Sequence, residues 1–263
     1  MKCFEHLDHW RATRAGLEAT RVGFVPTMGA LHAGHASLLS RSVAECDYTV
    51  LSIYVNPTQF NDPSDLDRYP RTLSEDLALA ESLGVDAVLL PDYASLYPDG
   101  YRYRLDETGF SRTLCGAHRP GHFVGVLTVV MKLLNLVRPW RAYFGEKDYQ
   151  QYVLIRDLCA AFFLDAEIVP CPTLREPDGL AMSSRNALLD AEARALATRF
   201  PQLLALHESD DTVAGRLAAA GFEVDYVHTE DGRRFGAVTV RCADRRVRLI
   251  DNMPTNQAEV SMP

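Results

Sequence analysis

The chain has no excess of basic residues, no paired-cysteine motif and no apolar run long enough to cross a bilayer. Each absence argues against a class of function. The 27 Lys and Arg stand against 35 Asp and Glu, a net charge of −8 over 263 residues. That balance offers no basic footprint for a nucleic acid, although a pocket can hold local positive charge whatever the total. The six cysteines, at 3, 46, 115, 159, 171 and 242, fall at neither CxxC nor metal-clip spacing. Scattered thiols of this kind suit a reducing compartment and structural positions. The longest apolar stretches are broken by Lys, Asn or Arg, so no membrane partner is expected. The opening MKCFEHLDHWRATRAG lacks the apolar centre of a signal peptide, which points to a cytoplasmic protein.

What is present is alternation. Short apolar runs at 21–25, 49–55, 86–90, 141–145 and 166–171 read as strands, and stretches at 35–45, 74–84, 124–137 and 147–162 read as helices. Ser74 is the expected N-cap of the second of these, with Gly84 closing it. Between 91 and 123 the expectation is a long loop. Strands that alternate with helices predict an α/β fold with a parallel sheet wound on both faces. After residue 175 the order changes to helices near 190–206 and 211–220, then three short β-like runs at 222–228, 237–242 and 246–251. This divides the chain into a main domain, 1–175, and a small C-terminal α+β domain, 176–263. No internal repeat is visible.

Four polar segments interrupt the pattern. In FVPTMGALHAGHASLL (24–39), His32 and His35 straddle a strand-to-helix junction. The first helical turn there should carry unpaired backbone N–H groups and a positive dipole end, an anion site to which imidazole N–H groups would add. Gly34 leaves room for close approach. Zinc would need a third ligand that no neighbouring residue supplies, and two capping histidines of no consequence would give the same string. In VNPTQFN (55–61), Asn56 and Gln59 sit past a strand's carboxyl end, where α/β sheets bind ligands. Amides suit hydroxyl and carboxylate recognition, but Asn56-Pro57 also suits a plain turn. In FGEKDYQQ (144–151), Lys147 stands near a helix start, where a cation is misplaced unless an anion joins it. Gln151 follows one turn later. In MSSRN (182–186), two hydroxyls and an arginine suit a mobile phosphate-closing loop. Arg119 and His122, between glycines in GAHRPGHFVGV, are suggestive in the same way.

Taken together, VPTMGALHAGH, VNPTQF, DLDRYPRTL, RPGHF, AYFGEKDYQQ and REPDGLAMSSRN resemble the pantothenate synthetase family densely from 22 to 186, and AAGFEVDYV and RLIDN resemble it again near the end. These are nucleotidyltransferases with a His-x-x-His signature. The resemblance implies a Rossmann-like nucleotidyltransferase sheet with a small C-terminal lid. It also implies ATP-dependent joining of pantoate to β-alanine through a pantoyl adenylate, with Mg²⁺ bound through ATP and no metal held by the protein. His32, His35 and Lys147 would be the catalytic residues, with His35 the proton donor. The resemblance places ATP beside Met28, Gly29, Ala30, Leu31, His32, Ala33, Gly34 and His35. It adds Gly145, Glu146, Lys147 and Asp148, then Leu174 near the adenine, and Met182, Ser183, Ser184 and Arg185. Gln59, Gln151 and Asn56 would hold pantoate, and Gln59 would also meet β-alanine. Homodimers are the family habit.

Two departures stand out. Cys115 occupies a position where the family pattern calls for glutamate, and the C-terminal domain reads as shortened. The competing readings are an enzyme adenylylating another carboxylate and a homologue that binds nucleotide without turnover.

Overall fold

The computed structural model describes residues 1–243 and 245–255. It divides into two compact units, the first Met1–Pro172 and the second beginning at Thr173.

The first unit runs β1 (Lys2–Phe4), α1 (Leu7–Ala15), β2 (Val22–Thr27), α2 (Ala33–Glu45), β3 (Tyr48–Ile53), α3 (Pro63–Asp67), α4 (Leu73–Ser82) and β4 (Ala87–Leu89). It continues through α5 (Tyr93–Leu96), α6 (Leu114–His118), α7 (His122–Val137), β5 (Arg141–Gly145), α8 (Tyr149–Ala161) and β6 (Glu167–Cys171). The six strands form one parallel sheet in the order β1-β4-β3-β2-β5-β6. From β2 the chain lays β3 and β4 on one side, then returns to lay β5 and β6 on the other. The order therefore reverses between β2 and β5, and in such sheets the crevice beyond the strand ends at the reversal is where ligands bind. β2 pairs with β3 as far as Thr27–Ile53, but with β5 only as far as Phe24–Ala142. Pro26, which has no N–H to give a ladder, lies beyond the last β5 partner.

The core on one face of this sheet joins Val25, Leu51, Val88 and Tyr143 to Leu38 and Leu39 of α2 and Ala80 of α4. Gly23 is required there. A Cβ at Gly23 would collide with the Ser42 hydroxyl and the Cys46 sulfur of the overlying helix.

Several expectations are corrected. α4 starts one residue before Ser74, and Thr72 occupies the N-cap position without a capping side-chain bond. The expected loop after β4 contains α5, α6 and a 3-10 turn, Phe110–Arg112. Lys147 lies not on a helix but on a 3-10 turn, Glu146–Asp148, with α8 beginning at Tyr149.

The second unit holds α9 (Ala191–Ala197), α10 (Arg199–Leu204) and α11 (Asp210–Ala220), then the antiparallel β7 (Glu223–Glu230), β8 (Arg233–Cys242) and β9 (Arg245–Pro254). The single helix expected over 190–206 is two, broken at Thr198. Pro201 in the first turn of α10 has no N–H for the bond back to Ala197 that a continuous helix would need. β7 and β8 meet through Asp231 and Gly232, both at positive φ (49° and 71°), with Glu230 paired to Arg233. A two-residue loop of that geometry matches the twist of the strands it joins. Phe200, Leu204, Val213, Leu217, Val238 and Val240 form the buried centre.

Candidate active site

The loop that leaves β2 is shaped by two residues in the left-handed region, Gly29 (φ 79°) and Ala30 (φ 50°). Ala30 carries a side chain in that conformation, so something must hold it there. Asp76 of α4 does. Its carboxylate accepts the backbone N–H of Ala30 (2.9 Å) and of Leu31 (2.8 Å), and the Thr72 hydroxyl (3.1 Å), at 2% exposure. Thr27 braces the same turn, accepting from Gly29 N and donating to the Ser52 carbonyl. No sequence motif announced Asp76. Apart from the Thr72 hydroxyl, its partners are backbone N–H groups 45 and 46 residues away.

α2 then begins with its histidines turned inward. His32 Nδ1 accepts the N–H of Gly34 (3.1 Å), and His35 Nδ1 accepts the N–H of His32 (3.3 Å), a reciprocal cap built from two imidazoles. This alters the expectation of free backbone donors at the helix start, because the rings take up two of them. A neutral ring whose Nδ1 accepts carries its proton on Nε2. The donor role thus passes from the backbone to two imidazole Nε2–H groups on rings 4.1 Å apart. Burial, then His32, and less strongly Lys147, push the His35 pKa down to about 3 against the pull of Asp148. His35 is therefore neutral near pH 7.

Lys147 follows β5, across the sheet reversal from the histidine loop, with its ammonium 3.7 Å from Asp148 and its side chain 19% exposed. β2 and β5 are parallel neighbours, so the loops that leave their carboxyl ends, one with the histidines and one with Lys147, start on the same edge of the sheet. Gly145 and Glu146 border the same turn. Among the described residues no group of three or more His, Cys, Asp or Glu could hold a metal ion.

The segment after β3 supplies Gln59, on a 3-10 turn, Pro57–Gln59. Its Nε2 donates to the Met28 sulfur at 3.1 Å, joining it to the histidine loop. Its backbone carbonyl meets His122 Nδ1 at 2.9 Å, and the Arg119 guanidinium reaches both His122 Nε2 and that carbonyl. Arg119 and His122, unassigned from sequence, thus clamp Gln59. Asn56 departs from expectation. It is 1% exposed, and its amide is spent on Gln59, Gly125, Thr58 and Tyr97, so it stands behind Gln59 rather than beside a ligand.

The two glutamines that open α8 differ in the same way. Gln150 is buried, ties the carbonyls of Phe110 and Thr113, and accepts the N–H of Cys115. Gln151, the predicted pantoate residue, is partly exposed. Cys115 lies buried in α6.

In the second unit, Leu174 is 40% exposed and its carbonyl accepts the N–H of Met182. Ser183 caps a 3-10 turn, Ser184–Leu188, by accepting the N–H of Arg185. Asn186 ties that turn to Glu176 and to the Ala181 carbonyl, and Arg194 binds Glu176 and Asp178. The segment expected to be a mobile loop is a braced turn.

Comparison with known proteins gives one answer. The family model for pantoate–β-alanine ligase matches residues 2–254. A pantothenate synthetase of Bdellovibrio bacteriovorus is 52% identical over 93% of this chain and 94% of its own length. One of Legionella pneumophila strain Lens is 49% identical over 96% and 99%. Among solved structures, the pantoate–β-alanine ligase of Francisella tularensis complexed with β,γ-ATP and β-alanine superposes with a TM-score of 0.89, at 38% identity over 97% of this chain and 98% of that one. The pantothenate synthetase of Thermus thermophilus gives 0.86, at 38% identity over 97% and 99%. These relatives are matched over nearly their whole length, so overall length does not set this chain apart from them.

Proposed function

We propose the reaction from the family: the chain belongs to the pantoate–β-alanine ligases, and it joins pantoate to β-alanine at the expense of ATP. What supports the site assignment is that the loops carrying His32, His35 and Lys147 leave adjacent parallel strands, β2 and β5, at the sheet reversal of the first unit.

The chemistry is two displacements. A pantoate carboxylate oxygen attacks the α-phosphorus of ATP and pyrophosphate leaves, giving pantoyl adenylate. The β-alanine amine then attacks the acyl carbon, AMP departs, and the amine proton is lost to solvent or to phosphate. Neither step calls for a protein nucleophile, so the barrier is lowered by alignment and by charge placed against the phosphates. In this reading the imidazole Nε2–H groups and the Lys147 ammonium face phosphate oxygens, and His35 gives a hydrogen bond that strengthens as pyrophosphate departs. ATP lies along 28–35 and 145–148, and Mg²⁺ enters on its phosphates. Gln59 and Gln151 hold pantoate, with β-alanine next to Gln59. The enzyme works as a cytoplasmic homodimer, the commonest closed assembly.

The test is ATP–pyrophosphate exchange. Exchange that requires pantoate is the expected result. Exchange driven by a different carboxylate, or none with any, would replace this reading. Lys147→Ala should lower exchange by about 100-fold, the scale of losing one charged transition-state donor, with the melting curve unchanged.

A further inference from the structure

Gln59 and Asn56 present two amides in contact, and an amide can face either way at little cost unless its neighbours distinguish oxygen from nitrogen. Here they do. The Gly125 carbonyl of α7 can only accept, and it lies 3.3 Å from Asn56 Nδ2. That contact places the Asn56 nitrogen toward α7 and its oxygen toward two hydroxyls, Tyr97 Oη at 2.9 Å and Thr58 Oγ1 at 3.0 Å, which donate to it. Burial lifts the Tyr97 pKa to about 12, so its hydroxyl keeps the proton it gives. The second N–H of Asn56 goes to Gln59 Oε1 at 3.0 Å. The Gln59 oxygen is thereby turned toward Asn56 with one lone pair engaged there, and its Nε2 points the other way, toward Met28.

The arrangement is also rigid. Asn56 and Tyr97 are 1% and 2% exposed. Gly125 lets α7 lie directly on the 3-10 turn, where any Cβ would strike the Thr58 carbonyl.

We propose that Asn56, polarised by the Gly125 carbonyl and the Tyr97 and Thr58 hydroxyls, is a positioning residue that makes Gln59 a hydrogen-bond donor only toward its substrate. This rests on the reading that Gln59 touches pantoate. The consequence is a selection rule: Gln59 meets acceptor oxygens, whether of a carboxylate or of a hydroxyl lone pair, and turns no acceptor toward an ammonium. A β-alanine molecule next to Gln59 would approach it through its carboxylate, leaving the amine free for the acyl carbon.

The experiment uses the full chain and reads KM for pantoate, KM for ATP and kcat between pH 5.5 and 8.5. Gln59→Ala tests the underlying reading, and an unchanged pantoate KM there would sink that reading. Gln59→Glu tests the donor rule, because an ionised carboxylate still accepts from Asn56 but has nothing to donate. The expected result is a pantoate KM raised at least about tenfold at pH 8, recovering as the pH falls and the carboxyl gains a proton, with the ATP KM steady. A pantoate KM like wild type at pH 8, alongside a defective Gln59→Ala, would overturn the donor rule alone. Tyr97→Phe/Thr58→Val tests the positioning without touching Gln59. It should raise the pantoate KM several-fold and leave the ATP KM within about twofold, and equal effects on both substrates would mean a structural role only.

Discussion

The loop 28–31 in the first unit hangs from a carboxylate that water scarcely reaches, whereas the turn Ser184–Leu188 in the second is braced by ion pairs that water still reaches. Asp76 takes two backbone N–H groups and a hydroxyl at 2% exposure. Arg194 holds Glu176 and Asp178 with side chains 26%, 27% and 36% exposed. Neither segment is a strand or an α-helix, so side chains must do what a ladder or helix would do elsewhere. The difference lies in what replaces a lost contact. Water satisfies the exposed pairs readily, but it reaches the two part-buried N–H groups behind Asp76 less easily.

Asp76→Asn breaks that comparison most severely. The substitution keeps the shape but turns an NH₂ toward a backbone N–H. Urea unfolding should show a loss of about 2–4 kcal/mol, and the ATP KM should rise by about tenfold. Stability equal to wild type would mean that Ala30 holds its conformation unaided.

Acid is a gentler probe of the same unit. An unfolded histidine titrates near about 6.5, whereas folded His35 does so at about 3. The unfolded chain therefore binds more protons between these values, and this contribution to stability, full above pH 6.5, is lost as the pH falls toward 3. His35→Gln should flatten the melting temperature against pH over that window. An unchanged profile would place the acid sensitivity elsewhere.

The smallest effect belongs to the second unit. Arg194→Ala should cost about 1 kcal/mol or less and lose that effect in high salt. A salt-insensitive loss near that of Asp76→Asn would erase the contrast.

The sequence carried the architecture well and the bracing poorly. β5 lies where its apolar run ended, because a buried parallel strand leaves a continuous signature. β1 and α1 were missed. Three residues with only Phe4 buried are too few to show alternation, and in α1 the buried stripe Leu7, Trp10, Arg14 has only two apolar members, its third being an arginine. The candidate residues were legible as motifs, but their roles depended on partners distant in the chain. Asn56 and Gln59 share a motif, and only Tyr97 and Gly125, 41 and 69 residues further on, show that one stands behind the other. Asp76 was hidden more completely, since what it grips is backbone and backbone has no residue type.

The imidazole cap on α2 makes one amide a spectroscopic witness to the chemistry. The N–H of Gly34 rests on His32 Nδ1, so a proton arriving at that nitrogen would face the amide with another donor and expel it. Its exchange with solvent and its chemical shift would then follow the charge on His32. A nuclear-resonance titration of that single glycine, with pyrophosphate added or withheld, would report how ligand charge reaches the ring.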